Sequence, residues 1–85
     1  MSYPLNWRET PEERFLSHET RAFVQEAIAV LPLNQRLVIT MRDVEGFAAA
    51  EVCNALAISE TYQRVLLHRA RSKVREQLER YLEKT

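Results

Sequence analysis

The sequence predicts an all-α domain: a four-helix bundle containing a helix-turn-helix and ending in a long C-terminal helix. Three observations carry this. The 85 residues hold one Gly and three Pro, and the prolines all fall within the first 32 positions, so little interrupts helix formation. Apolar residues recur three and four apart through most of the chain, the spacing of a helix face. No Gly or Pro occurs from Ser59 to Thr85, which leaves room for one long, unbroken helix.

Length allows one small domain, which buries a modest fraction of its surface and is marginally stable alone. No apolar run approaches the ~18 residues of a membrane span, and there is no signal-peptide pattern. The single cysteine excludes an internal disulfide and fits a reducing, cytoplasmic setting. Net charge is zero, but it is unevenly spread. Residues 1–63 hold five Lys/Arg against nine Asp/Glu, whereas residues 64–85 hold seven against three. A basic carboxyl end on an acidic body suggests one element that faces a polyanion and an acidic surface for a different partner.

Residues 1–18 read as a linker or tail and residues 19–85 as the folded domain. Pro4 and Pro11 break a helix, although Pro11-Glu12-Glu13-Arg14 also has the form of a helix start. Trp7 and Phe15 either dock on the body or mark contact with a neighbouring domain. The first helix is expected from His18 to Leu31, with Phe23, Ala27, Ile28 and Leu31 inward, stopped by Pro32. The second is expected from Asn34 to Val44, with Asn34 as N-cap and Leu37, Val38, Met41 and Val44 buried. Gly46 sits where a helix end wants a left-handed residue. A third, short helix is expected from Ala48 to Leu56, with Ala49, Val52, Cys53 and Leu56 inward. It is poorly capped, since Ala48 stands where a hydroxyl residue would serve. Ala57-Ile58-Ser59 then forms a three-residue turn, with Ile58 plugging the corner.

The fourth helix, about 59–82, organises the rest. Ser59 can cap it, and Glu60 lies where the helix dipole favours a negative charge. Winding at about 100° per residue gathers Leu66, Leu67, Ala70, Val74 and Tyr81 on one side. Thr61, Tyr62, Arg64, Val65, His68 and Arg69 gather on the other, flanked by Arg71 and Arg75. That second face offers arginines, a hydroxyl and an aromatic to base edges and phosphates. Periodicity alone is equally consistent with a solvated basic face. The short helix, turn and longer basic helix that precede and form it make the helix-turn-helix pattern.

Other chemistries lack their residues. One Gly excludes a phosphate-cradling loop, no Ser/His/Asp or Cys/His set is placed by a motif, and His18, Cys53 and His68 do not have zinc-ligand spacing. An enzyme, a cofactor, a metal site and a small-molecule substrate are therefore not expected. Cys53 reads as a small core residue.

The stretch from Leu31 to Phe47 resembles the start of region 4 of bacterial σ70-family sigma factors, and more closely the extracytoplasmic-function (ECF) group. Its marks are Leu31-Pro32-Leu33-Asn34-Gln35-Arg36, then Arg42-Asp43-Val44-Glu45-Gly46-Phe47, then a helix-turn-helix ending in Leu67-His68-Arg69-Ala70-Arg71. The resemblance covers about residues 19–82. It implies a bundle like a winged helix without its wing, a fragment whose region 2 lies outside this sequence, and a role in transcription initiation. It further implies that region 4 reads the promoter −35 element and docks on the β flap of RNA polymerase, with an anti-sigma factor as a further partner.

Carried over by position, the family's DNA-contacting residues fall at Thr61, Tyr62, Arg64, Val65, His68 and Arg69, with Ser59, Arg71 and Arg75 alongside. Arg64 and Arg69 match commonly basic positions. Val65 stands where some members carry Ser, and offers only apolar contact. Tyr62 is a departure that either stacks, reaches a phosphate or turns to the core. Ala48, Ala49 and Ala50 replace residues that contact phosphate in the family, leaving only backbone N–H groups there. Arg36, Arg42 and Asp43 match a region that faces polymerase and DNA, or are solvated or ion-paired. Two rival readings remain. One is a divergent region 4 acting mainly as a protein-interaction module. The other is a LuxR-type helix-turn-helix regulator, which usually lacks the His68–Arg71 run.

Overall fold

The computed structural model describes residues 11–83, with side chains from residue 19 onward; the expectations for Trp7 and for the Phe15 side chain lie outside what is described. Four helices follow in order: α1 (Pro11–Ala29), α2 (Leu33–Ile39), α3 (Ala49–Leu56) and α4 (Glu60–Glu83). A π turn, Thr40–Val44, extends α2.

α1 starts earlier than expected. Pro11 occupies its first position, where a missing N–H costs nothing and φ is already set for helix; the proline begins the helix instead of breaking it. Val24, Ala27, Ile28 and Leu31 are buried. Phe23, expected inward, is half-buried and stacks on Tyr81 near the far end of α4, with ring centroids 4.4 Å apart and planes at 21°. The helix ends two residues before the expected Leu31, and Leu31 N–H closes a tight turn onto the Ile28 carbonyl.

The second helix departs most from expectation. Pro32, not Asn34, occupies the N-cap, without a side-chain bond. The expected single helix to Val44 widens after Ile39, where Glu45 N–H reaches back five residues to the Thr40 carbonyl at 2.9 Å. Its buried side is Gln35, Val38, Ile39 and Asp43. Of the expected set, Val38 is buried, Met41 and Val44 pack part-buried on the core, and Leu37 is exposed. An α-helical period cannot anticipate a widened turn, and hydrophobicity cannot anticipate an aspartate turned inward. Gly46 takes φ +80°, the left-handed conformation expected of it, and Phe47 N–H bonds the Met41 carbonyl at 2.8 Å.

α3 begins at Ala49 with Ala48 as N-cap. Glu51 accepts a hydrogen bond from Ala48 N–H at 2.8 Å. This is one arm of a capping box; a methyl group cannot supply the other. Val52 is fully buried, while Ala49, Cys53 and Leu56 are part-buried. Ala57 then adopts φ 56°, ψ 47°, a left-handed conformation that costs a residue with a Cβ about 1–2 kcal/mol. Ile58 packs on the core at the corner, as its position predicts. Ser59 Oγ accepts Tyr62 N–H at 3.0 Å, capping α4.

α4 spans 24 residues, about 36 Å at 1.5 Å per residue. It buries Gln63, Leu66, Leu67, Ala70, Val74 and Leu78 against α1, α2 and α3. The resulting core joins Val24, Ile28, Val38, Ile39 and Val52 to Leu66, Leu67, Ala70 and Val74 of α4. The apolar row turns the opposite face of α4 to solvent, and this sets the geometry of the site.

Candidate nucleic-acid interface

The expected face of α4 is presented outward. Thr61, Tyr62, Arg64, Val65, His68, Arg69 and Arg75 are all exposed, as is the capping Ser59. Tyr62 is 44% exposed and Val65 38%, so Tyr62 does not turn to the core. These two sit one turn apart, and the Arg64 and Arg69 guanidinium groups and the His68 ring are exposed on the same stretch of helix. Arg64 lies 3.6 Å from Glu60, both well exposed. Such a surface pair is worth little and leaves Arg64 free to exchange partners.

Arg71 behaves differently from the rest of the set. Its Nε donates to Asp43 Oδ2 at 2.7 Å and its Nη2 to Asp43 Oδ1 at 2.6 Å. Asp43 is 2% exposed. The hydrogen bonds to Asp43 raise the Arg71 pKa above its ordinary value; burial opposes the rise and charge attraction adds to it. The two-pronged geometry is the strong form of this pair. It ties the π turn to the middle of α4, so this guanidinium is already engaged inside the domain.

Sequence reasoning missed Gln63. It is 1% exposed and joins three elements. Its Nε2 donates to the Ala49 carbonyl at 2.9 Å and lies 3.0 Å from Cys53 Sγ. Its Oε1 accepts from Arg42 Nη1 at 2.8 Å. The signal was present: residue 63 falls in the same row as Leu66, Leu67 and Ala70, and a polar residue in an apolar row needs internal partners.

Arg42, Arg64 and Arg71, with Glu60 and Gln63, line a groove of about 290 Å³ beside the start of α4. Arg36, by contrast, donates to the Ala29 carbonyl at 3.1 Å, at the C-terminal end of α1. Among the described residues no three His, Cys, Asp or Glu side chains gather to hold a metal. None of the described helices is long and apolar enough to cross a membrane.

Residues 24–74 match the family model described as sigma-70, region 4. The chain is 38% identical over 65 residues to the ECF RNA polymerase sigma factor ShbA of Streptomyces griseus subsp. griseus, covering 76% of this chain and 34% of that protein. It is 35% identical over 68 residues to the RNA polymerase sigma-E factor of Streptomyces antibioticus, covering 80% of this chain and 38% of that protein. The chain thus spans little more than a third of the length of these relatives. No solved structure matches it. The helix-turn-helix, the outward face of α4 and these relationships agree: the chain belongs to the sigma-70 region 4 family, as region 4 of an ECF sigma factor.

Proposed function

We propose that this domain recognises the −35 element of a promoter through the first turns of α4 and docks on the RNA polymerase core, so as to direct transcription initiation. The observation that carries the reading is the exposed strip of Thr61, Tyr62, Arg64, Val65, His68 and Arg69 at the start of a capped, well-packed helix. A helix inserted in the major groove contacts base edges with its N-terminal residues. Arg64 and Arg69 suit guanine or phosphate, and Val65 suits a thymine methyl. Tyr62 offers a ring for stacking and a hydroxyl for phosphate. Ser59 fixes the helix start, and Arg75 reaches phosphate farther along. Arg42, at the groove beside α4, matches the family's polymerase- and DNA-facing region and serves as a further phosphate cation. Arg71 serves the interface by holding α4 in place on Asp43.

A specific feature favours a protein partner as well. Leu33 and Leu37, one turn apart on α2, are 56% and 36% exposed, and the nearby Val30 is 70% exposed. Apolar side chains exposed together on a small domain suit docking, and the β flap of polymerase or an anti-sigma factor is the proposed partner for this corner. The test is to titrate the isotopically labelled chain with a −35 duplex from its own genome and with a scrambled duplex. Amide shifts confined to residues 59–69 and specific to the true duplex support promoter reading. Equal shifts with both duplexes that vanish with salt refute it and leave the protein-docking role.

A further inference from the structure

The three guanidinium groups of the groove are held in three different ways. Arg71 is paired with the buried Asp43 carboxylate, so its charge is largely cancelled. Arg64 lies near the exposed Glu60 carboxylate. Arg42 is held by a neutral group, the Gln63 carboxamide oxygen, and among the described residues no carboxylate pairs with it.

The orientation of the carboxamide is fixed by its partners. Turned over, it would set Oε1 against the Ala49 carbonyl oxygen and its NH₂ group against the Arg42 guanidinium, an acceptor facing an acceptor and a donor facing a donor. As placed, one lone pair of Oε1 holds one of the five guanidinium N–H donors, and the positive charge of Arg42 is retained. A neutral acceptor orients a cation without consuming its attraction for an anion; a carboxylate at the same place would do both.

We infer that Gln63 is a positioning residue that holds Arg42 over the groove with its charge intact, so that Arg42 meets a DNA backbone phosphate. The inference rests on the DNA-binding reading given above. It extends that reading to a buried side chain that touches no nucleic acid. The same carboxamide grips the first turn of α3 at the Ala49 carbonyl, so the cation and the start of α3 are set by one group.

The test uses the 85-residue chain and a short duplex of arbitrary sequence, because phosphate contact does not depend on sequence. Affinity is measured by anisotropy over a series of salt concentrations for the unaltered chain, Arg42→Ala, Gln63→Glu, Gln63→Met and the Arg42→Ala/Gln63→Glu pair. Each neutralised phosphate contributes about 0.9 to the slope of log affinity against log salt. Arg42→Ala is expected to reduce the slope by about one. Gln63→Glu keeps the shape and the acceptor toward Arg42, gives up the donor to the Ala49 carbonyl and cancels the charge, and is expected to give the same loss with Arg42 present. In the Arg42→Ala background it is expected to change the slope no further. Gln63→Met leaves the charge untethered: affinity falls with the slope unchanged, and the Arg42 side-chain nitrogen resonances of the free protein move.

A slope loss in Arg42→Ala that is missing from a folded Gln63→Glu overturns the inference alone and leaves the DNA reading intact. An unchanged slope in Arg42→Ala removes Arg42 from the phosphate contacts and overturns the inference with it. Failure of the unaltered chain to bind any duplex overturns both readings. Amide spectra of each variant separate misfolding from these outcomes.

Discussion

Asp43 and Arg71 meet as a fork on a fork, with 2.6 and 2.7 Å between their donors and acceptors, across 28 positions of sequence. Removing one partner of a buried pair costs about 3–5 kcal/mol. The Arg71 side chain is 38% exposed, so solvent reduces this to about 2 kcal/mol. Arg71→Ala and Asp43→Ala are each expected to lose that much stability in urea unfolding, and the double variant less than their sum. Arg71→Lys keeps the charge and loses the fork, and should fall between. Additive losses would mean that the pair is not coupled. The folded pKa of Arg71 is raised, so its share of the stability is fully present below the ordinary arginine range and is lost only as pH rises beyond it. Neutral and mildly alkaline titration should leave that share unchanged.

Ala57 holds a left-handed conformation between α3 and α4. Glycine adopts it without the Cβ clash. Ala57→Gly is expected to stabilise the domain by about 1 kcal/mol in the same unfolding assay, a gain limited by the greater freedom glycine adds to the unfolded chain. A net loss would show that the strain at this turn is small.

The open arm of the capping box predicts a second gain. Ala48→Ser supplies the missing acceptor while Glu51 keeps the bond it makes to residue 48 N–H. About 1 kcal/mol of local stability is expected. Hydrogen exchange reads it: amides in the first turn of α3 should slow, and those in α1 should not.

On the proposed DNA-binding reading, two arginines of α4 are expected to separate base contact from phosphate contact. Arg64→Ala is expected to cost about 1–3 kcal/mol with the true −35 duplex and to relax preference at one base pair. Arg75→Ala is expected to weaken all duplexes alike and to lower the salt slope by about one. Binding measured across a set of single-base-pair variants of the site distinguishes the two. Uniform weakening by Arg64→Ala would place it on phosphate.

The features written in local chemistry were legible in the sequence. Ser59 as a cap, Gly46 as a left-handed stop, Ile58 at the corner and the outward side of α4 all follow from short-range spacing and residue type. The parts that escaped depend on pairs distant in sequence. Asp43 turns inward because Arg71 waits 28 positions on, and hydrophobic periodicity scores an aspartate as surface. Gln63 was passed over because a glutamine in a helix looks unremarkable until Arg42, Ala49 and Cys53 converge on it. Phe23 and Val24 exchange roles by one position, since Tyr81 offers an aromatic partner outside the main core. Pro11 was legible both as a breaker and as a starter, and only the chain after it decides between them.

The π turn at Thr40–Val44 carries one residue more than the α turn it replaces, and that spare residue sets the phase of everything near it. Deleting one position there would let the segment relax into ordinary α-helix, with satisfied backbone bonds and no sign of damage in helix content. Asp43 and Arg42 would nonetheless change direction about the helix axis, and with it their alignment on Arg71 and Gln63. The domain would remain helical and lose the internal fastenings of its groove. Its tolerance to a change in length is therefore lowest inside a helix, where length changes leave the least visible trace.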